Sequence, residues 1–534
     1  LAQDYDADVI VVGSGAVGSN AAYELAKQGK SVIILEAGPS VPRWKILMNF
    51  RNSGRHYDHN DAYPNNPWAP TSYQPGYIQN TGSFDMMPGM LKLVGGTTWH
   101  WGGATWRYIP NDFKLKSLYG KGRDWPLEYD DIEPYYTRAE YELGIAGSDT
   151  DDQSGTHAGQ AYPPRSKPYP ITAEAYAVNG QKLNDTLVPQ GYSMCIEPTV
   201  RIHKPWDGRP ACQGNNNCDQ VCPIGTLYNG SIHADKAVRA GAQLIPEAVV
   251  HKIETGEGNK ITAVRYLTPE GAEHRLTAKY FVLAAHSFET AKLMMMNDIG
   301  NSSDMVGRNM MDHIGISMGF LCEDAQWAGR GPVQQATIMN WRDGAFRSEH
   351  SANKTSMANN NPQIDLAKSA IDDGLMGAEL DERILDQSRR YMYLYSFFEQ
   401  LPDPKNRLEP NPEWKDSLGL PGMKIHFDVD DYVKAGAVKC REMYRDIAQK
   451  MNPKVEGGEI LYINDWENHD HLMGTMIMGA DASDSVVNHE GRSFDHENLF
   501  IASVGVIPAA GVVNPTLTAV ALAIRSAEII AKEV

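Results

Sequence analysis

Asp8-Val9-Ile10-Val11-Val12-Gly13-Ser14-Gly15-Ala16-Val17-Gly18 carries a short apolar, β-branched segment straight into a glycine-rich turn. Such a segment fits a parallel strand buried on both faces. Ser19 to Lys27, rich in Ala, Glu, Leu and Lys, reads as the following helix, and Ser31-Val32-Ile33-Ile34-Leu35 as a second strand ending at Glu36. Each glycine has its own task in such a βαβ unit. Gly13 permits the tight turn, Gly15 lets backbone approach a pyrophosphate, and Gly18 lets helix pack closely on strand. The helix N-terminus offers unpaired N–H groups to the phosphates. Glu36, eighteen residues beyond Gly18, stands where it can accept hydrogen bonds from a ribose diol. A dinucleotide site is expected; the alternative is a glycine-rich turn without a ligand. The pattern alone does not separate NAD from FAD. After Gly38-Pro39, however, the βα alternation of an NAD domain stops, and Pro, Asn, Tyr and Trp dominate through Tyr77. Discontinuous use of the chain favours FAD.

The whole chain sets outer bounds. Its 534 residues, 42% hydrophobic and 22% charged, suit two to four packed units rather than disorder. A formal net charge of −18 repels nucleic-acid backbones and anionic lipid headgroups, so neither is an expected partner. No run of 18 apolar residues occurs; Leu517 to Ile530 is broken by Arg525, Ser526 and Glu528. The chain opens on Leu1 rather than methionine, from which a trimmed initiator or leader is expected, and no signal peptide is read in the residues after Leu1. Of six cysteines, three cluster at Cys212, Cys218 and Cys222, which argues for a local site rather than a disulfide framework. Cys195, Cys322 and Cys440 are isolated and read as small buried hydrophobes.

Several further runs carry a resemblance. They are Gly95-Gly96-Thr97-Thr98-Trp99-His100-Trp101, Gly122-Arg123-Asp124-Trp125-Pro126-Leu127, and Asp131-Ile132-Glu133-Pro134-Tyr135-Tyr136. Gly307-Arg308-Asn309-Met310-Met311-Asp312-His313, His471, and Gly511-Val512-Val513-Asn514-Pro515-Thr516-Leu517-Thr518 complete the set. Together with Gly13 to Gly18 and Glu36, they resemble the glucose–methanol–choline (GMC) oxidoreductase family along essentially the whole chain. Within it, the chain is most similar to the catalytic subunits of bacterial dehydrogenases of sugars and sugar acids. The resemblance implies an α/β fold: a Rossmann-like FAD-binding domain, plus an α+β substrate domain whose antiparallel sheet covers the flavin. It implies FAD-domain segments at 1–42, 86–160, 195–318 and 484–534, with a cysteine loop at 210–224. The substrate domain and cap then occupy 43–85, 161–194 and 319–483. Gly95 and Gly96 suit a loop passing close to the flavin ring. Thr97 lies in that loop, and His100 is a candidate for covalent attachment of flavin; otherwise it packs between Trp99 and Trp101. By the same resemblance Val250 and Ala285 lie against the adenosine end. Thr516 starts a helix whose N-terminus faces the flavin pyrimidine.

Oxidising an alcohol carbon requires a base for the hydroxyl proton and a polar group that orients the hydroxyl. In the family the base is a histidine ahead of a glycine-containing turn, with His or Asn some 40 positions on. His471, before Gly474, and Asn514, 43 positions later, match that pattern. His469 is the rival, because a strand would point 469 and 471 the same way. Asn514 is also an ordinary helix-start residue, and the two roles are compatible.

Cys212-x5-Cys218-x3-Cys222-Pro223 resembles a loop around an iron–sulfur cluster. Relatives use such cysteines for a [3Fe–4S] cluster, which takes three thiolates; Gln213 stands where some carry a further cysteine. A zinc site completed by His203, or one disulfide plus a free thiol, are the alternatives. A cluster would turn the two-electron flavin into a one-electron donor, implying a dehydrogenase. The resemblance further implies a small chaperone-like subunit and a multihaem cytochrome c subunit, with membrane contact only through the latter, at the periplasmic face of the bacterial inner membrane. An oxidase of the same fold with a structural metal, and a non-enzymatic electron-transfer flavoprotein, are the competing readings. Gly147 to Pro170 and Ser351 to Pro362 read as solvent-exposed loops. Trp341 to Arg347 and Asp428 to Val433 suggest no role.

Overall fold

The structure, a computed structural model, describes residues 5–53 and 61–534. Leu1 and the rest of residues 1–4, and residues 54–60 of the cap segment 43–85, lie outside the described residues.

The opening run forms strand Ala7–Val12, helix Ala16–Lys27 and strand Val32–Leu35. Val9, Ile10 and Val11 have no solvent exposure, each contributing about 1.5–3 kcal/mol of burial. Ala7–Val12 is the centre of a parallel sheet. Val32–Leu35 flanks it on one side, followed by Gln243–Ile245. On the other side lies the C-terminal half of Glu273–Leu283, followed by Leu499–Ile501. The N-terminal half of Glu273–Leu283 leaves this sheet and pairs antiparallel with Ile261–Leu267, which pairs with Val249–Thr255. Helix Ala16–Lys27 packs between Ser231–Arg239 and the C-terminal helix Thr516–Glu533. One nucleotide domain is thus assembled from three distant parts of the chain.

Over it lies a six-stranded antiparallel sheet in the order Glu459–Glu467, Gly315–Leu321, Tyr391–Phe398, Asn353–Ala358, Gln334–Ile338, Met194–Ile196. Alternation along Tyr391–Phe398 divides its side chains. Tyr393, Tyr395 and Phe397 face the cavity beneath, while Ser396 turns to helix Asp431–Met451, 2.7 Å from the Tyr444 hydroxyl. Asp430 caps that helix through the Val433 N–H. Beside the upper sheet lies a buried ionic cluster. Arg347 binds Asp112 at 3.0 Å, Asp343 at 3.1 Å, and Glu399.

Two sequence expectations need correction. The boundary drawn at 318/319 falls inside Gly315–Leu321, and the one at 194/195 inside Met194–Ile196; both strands belong wholly to the upper sheet. Ser351 to Pro362 is no exposed loop but holds Asn353–Ala358, a strand buried at every position. Its polar sequence hides it: Thr355 is bonded to Ser396 at 2.6 Å and Lys354 to Asn514 at 3.1 Å, so burial needs no apolar pattern.

Candidate functional site

Between the two sheets runs one cavity of about 780 Å³. At its nucleotide end the three glycines divide their work. A Cβ on Gly13 (φ +104°) would lie 2.4 Å from the Ala284 carbonyl oxygen, and one on Gly18 would lie 2.2 Å from that of Gly13. A Cβ on Gly15 would meet nothing within 4 Å, because this position opens onto the cavity. Gly13 and Gly18 are therefore required by packing, and Gly15 leaves the backbone open to a ligand. No side chain caps the helix beginning at Ala16, so its first N–H groups are left for an anion. Glu36 holds the Ser14 N–H at 3.0 Å and hydroxyl at 2.7 Å through one oxygen, and the Gly38 N–H at 2.9 Å through the other. Burial holds its carboxyl above the usual carboxylate range, with these donors opposing the rise. This cradle fits a dinucleotide.

Gly95 (φ +100°) sits behind the cavity wall, bridged to Gly15, and a Cβ on Gly96 (φ +60°) would come within 3.0 Å of the Gly15 Cα. Thr97 and His100 line the cavity beyond them, with His100 Nε2 3.1 Å from the Gly89 carbonyl oxygen. Val250 and Ala285 line the cavity beside Glu36 and Gly13, and Thr516 opens its helix onto it, again with no side-chain cap. Of the residues expected to hold cofactor, Gly18 and Gly95 alone do not reach the cavity surface.

His471 and Asn514 meet there. Asn514 Nδ2 lies 2.8 Å from His471 Nε2, and His471 Nδ1 lies 2.9 Å from Nδ1 of His313. Behind them, His313 Nε2 is 3.2 Å from the Ala510 carbonyl oxygen and 3.1 Å from that of Gly511. Lys354 donates to Asn514 Oδ1 at 3.1 Å and stands 3.7 Å from Glu197. Burial, then the neighbouring His313, His469 and Lys354, hold His471 well below the usual histidine range, so it is neutral. His469 is not on a strand with it: Asp470 takes a left-handed turn (φ +61°) between them. Both histidines line the cavity, but His469 packs its ring on Phe397 at 4.4 Å, and its Nε2 has no hydrogen-bond partner among the described residues. Asp312 holds the turn, accepting the N–H groups of His469, Asp470, His471 and His313 at 2.7–3.2 Å. Sequence reasoning gave Asp312 and His313 no role although it quoted their motif, and it missed Lys354 and Glu197.

Cys212, Cys218 and Cys222 line a second, small cavity of about 20 Å³. Each sulfur has an N–H donor: Gly214 at 3.3 Å from Cys212, Arg201 at 3.8 Å from Cys218, and Leu227 at 3.5 Å from Cys222. Such donors suit thiolates. Burial raises the Cys212 and Cys218 thiols, and Arg201 opposes it. The donor set is chemically right for a thiolate-held cluster. Among the described residues, however, no three Cys, His, Asp or Glu side chains close on a single metal position, and all six cysteines are free thiols. Asp219 and Gln220, between Cys218 and Cys222, line the large cavity.

Comparison with known proteins agrees with this geometry. GMC oxidoreductase profiles match residues 210–315 and 402–523, and an FAD dependent oxidoreductase profile matches residues 8–54. The chain is 42% identical to the fructose dehydrogenase large subunit of Gluconobacter japonicus, over 98% of this chain and 97% of that one. It is 23% identical to the gluconate 2-dehydrogenase flavoprotein of Pantoea cypripedii, over 98% and 94%. Formate oxidase of Aspergillus oryzae RIB40 shares its fold with a TM-score of 0.66 at 15% identity, covering 100% and 99% of the two chains. A cradle open at Gly15 and a His–Asn pair on the same cavity, in a chain so related, leave one assignment: the protein belongs to the GMC oxidoreductase family and is an FAD-dependent oxidoreductase acting on CH–OH groups.

Proposed function

We propose that the protein is a dehydrogenase of a neutral sugar or polyol, oxidising a secondary or anomeric hydroxyl. The observation that carries this reading is the His471–Asn514 pair, 2.8 Å apart, on the cavity that begins at Gly15. Bound FAD supplies the hydride acceptor. The chain supplies the rest. Neutral His471 takes the hydroxyl proton at Nε2, Asn514 holds the hydroxyl oxygen, and the upper sheet excludes water. Beyond the pair the cavity is lined by Gln334, Asn360, Tyr393, Tyr395, Glu467 and Asn468. Its two lysines, Lys92 and Lys292, are already bound to Glu289. Amides, phenols and a carboxylate, with no unpaired cation among the described residues, suit a neutral polyhydroxylated ring and oppose a sugar acid. We therefore place gluconate and 2-ketogluconate below fructose, glucose and sorbitol as substrates. The expected result is a kcat/KM at least about tenfold higher for the best neutral substrate, measured with an artificial acceptor. A preference for gluconate or 2-ketogluconate would overturn the neutral reading.

We further propose that Cys212, Cys218 and Cys222 hold a [3Fe–4S] cluster that relays electrons singly to a multihaem cytochrome c subunit. Supporting this, the cysteine loop forms part of the flavin-cavity wall through Asp219 and Gln220, so a cluster there would neighbour the flavin. The relative named as a large subunit suggests assembly with others, here a small chaperone-like subunit and the cytochrome at the periplasmic face of the inner membrane. His100, on the cavity, is the proposed point of covalent flavin attachment. Oxidised holoprotein should show the paramagnetic signal of a three-iron cluster, and acid precipitation should carry flavin down with the polypeptide. Cys218→Ser should lose that signal and most cytochrome reduction, while substrate still bleaches the flavin. Undiminished cytochrome reduction in that variant refutes the relay; rapid peroxide production by the wild type supports the oxidase reading instead.

A further inference from the structure

The hydrogen bonds around His471 admit one placement of protons. Carbonyl oxygens only accept, so His313 Nε2, facing those of Ala510 and Gly511, carries a hydrogen. Burial pushes the His313 pKa down to about 3, so the ring is neutral and its Nδ1 is a lone pair. His471 Nδ1, 2.9 Å away, must then be the donor. The one lone pair left on a neutral His471 is at Nε2, the atom that faces the cavity and Asn514. On the other side, a lysine ammonium only donates, so the Asn514 atom 3.1 Å from Lys354 Nζ is the amide oxygen. The amide NH2 therefore points at His471 Nε2, where the substrate hydroxyl must sit.

We infer that His313 and Lys354 are positioning residues for the oxidation: His313 fixes the tautomer of the base from behind, and Lys354, held by Glu197, fixes which end of the Asn514 amide meets the substrate oxygen. With His313 in place, the wrong His471 tautomer sets two lone pairs face to face. With Lys354 in place, the flipped amide sets an NH2 group against an ammonium. Neither residue lines the cavity. Lys354 reaches Asn514 because it pairs with Phe397 in the sheet and so points to the cavity side, its ammonium 4.6 Å from the Phe397 ring centre. The inference rests on His471 being the base.

The test is anaerobic single-turnover flavin reduction in the holoenzyme, with the best neutral substrate, for H313L, H313Q, K354M and H471A in parallel. H313L and K354M should each slow reduction by roughly 10- to 100-fold while substrate Kd changes by less than about threefold and FAD content is unchanged. H313Q should recover most of the rate, because its amide oxygen can accept from His471 Nδ1 and its NH2 group can reach the Gly511 carbonyl. Wild-type rates in H313L and K354M beside a slow H471A overturn the positioning role alone; a wild-type rate in H471A overturns base and inference together. An H313Q as slow as H313L counts against the hydrogen-bond account. Should H313L not fold, H313Q and K354M still decide: K354M at the wild-type rate refutes the amide lock, and H313Q slowed about 100-fold refutes the tautomer lock.

Discussion

Replacing His471 by alanine should slow flavin reduction by substrate roughly 10²- to 10⁴-fold, the range a positioned general base contributes, with FAD still bound. FAD retention is expected because the His471 side chain is bonded to Asn514 and His313 and to no part of the cradle at Gly15, Ala16 and Glu36. The pH dependence carries a second signature. A histidine whose pKa is depressed stays neutral to lower pH than a free one, so the base is available throughout the range above pH 6.5. The acid limb of flavin reduction in the free enzyme should therefore fall below pH 6.5. A near-normal rate in His471→Ala would move the base to His469, which shares the cavity wall but whose Nε2 has no hydrogen-bond partner among the described residues.

Removal of the Asp312 carboxylate should be the most damaging single change to the protein scaffold around the site. Its two oxygens accept four backbone N–H groups, three of them from the turn 469–471 and the fourth from His313. Asp312→Ala leaves these donors without a partner beside a left-handed Asp470, at a cost on the order of 3–5 kcal/mol. Because the same carboxylate positions both histidines, loss of flavin reduction should accompany the loss of stability. An Asp312→Ala protein with unchanged Tm and unchanged reduction rate would show that the turn holds itself.

The nucleotide half of the site is legible in the sequence because its signals are local. The strand at Asp8, the glycines, the helix Ser287–Met296 and the start of the C-terminal helix at Thr516 are each written in a few adjacent residues. His471 and Asn514 are found through motif position, not through periodicity. The turn at Asp470 explains why a strand argument could not choose between 469 and 471. The residues behind them are not legible. Lys354 sits in Ser351 to Pro362, a stretch whose polarity reads as solvent-exposed, yet it is buried because its partners come from residues 197 and 514. Arg347 presents the same difficulty, since Asp112 and Glu399 come from distant segments. Contacts between polar groups far apart in sequence leave no period to read. A buried lysine in an asparagine-rich stretch carries no signal before the strand pairing is known.

The parallel sheet stays open on one edge until Leu499–Ile501 has been made. Leu283 can pair with Val12 as soon as it emerges, but its other neighbour, Ile501, is more than two hundred residues away. At about 5–20 residues per second, a ribosome needs on the order of 10–40 s to span that gap. Throughout that interval the nascent chain presents an unpaired apolar strand edge and no complete flavin pocket. Cofactor loading thereby waits until the chain through Thr516 has emerged, and the edge needs protection in the meantime.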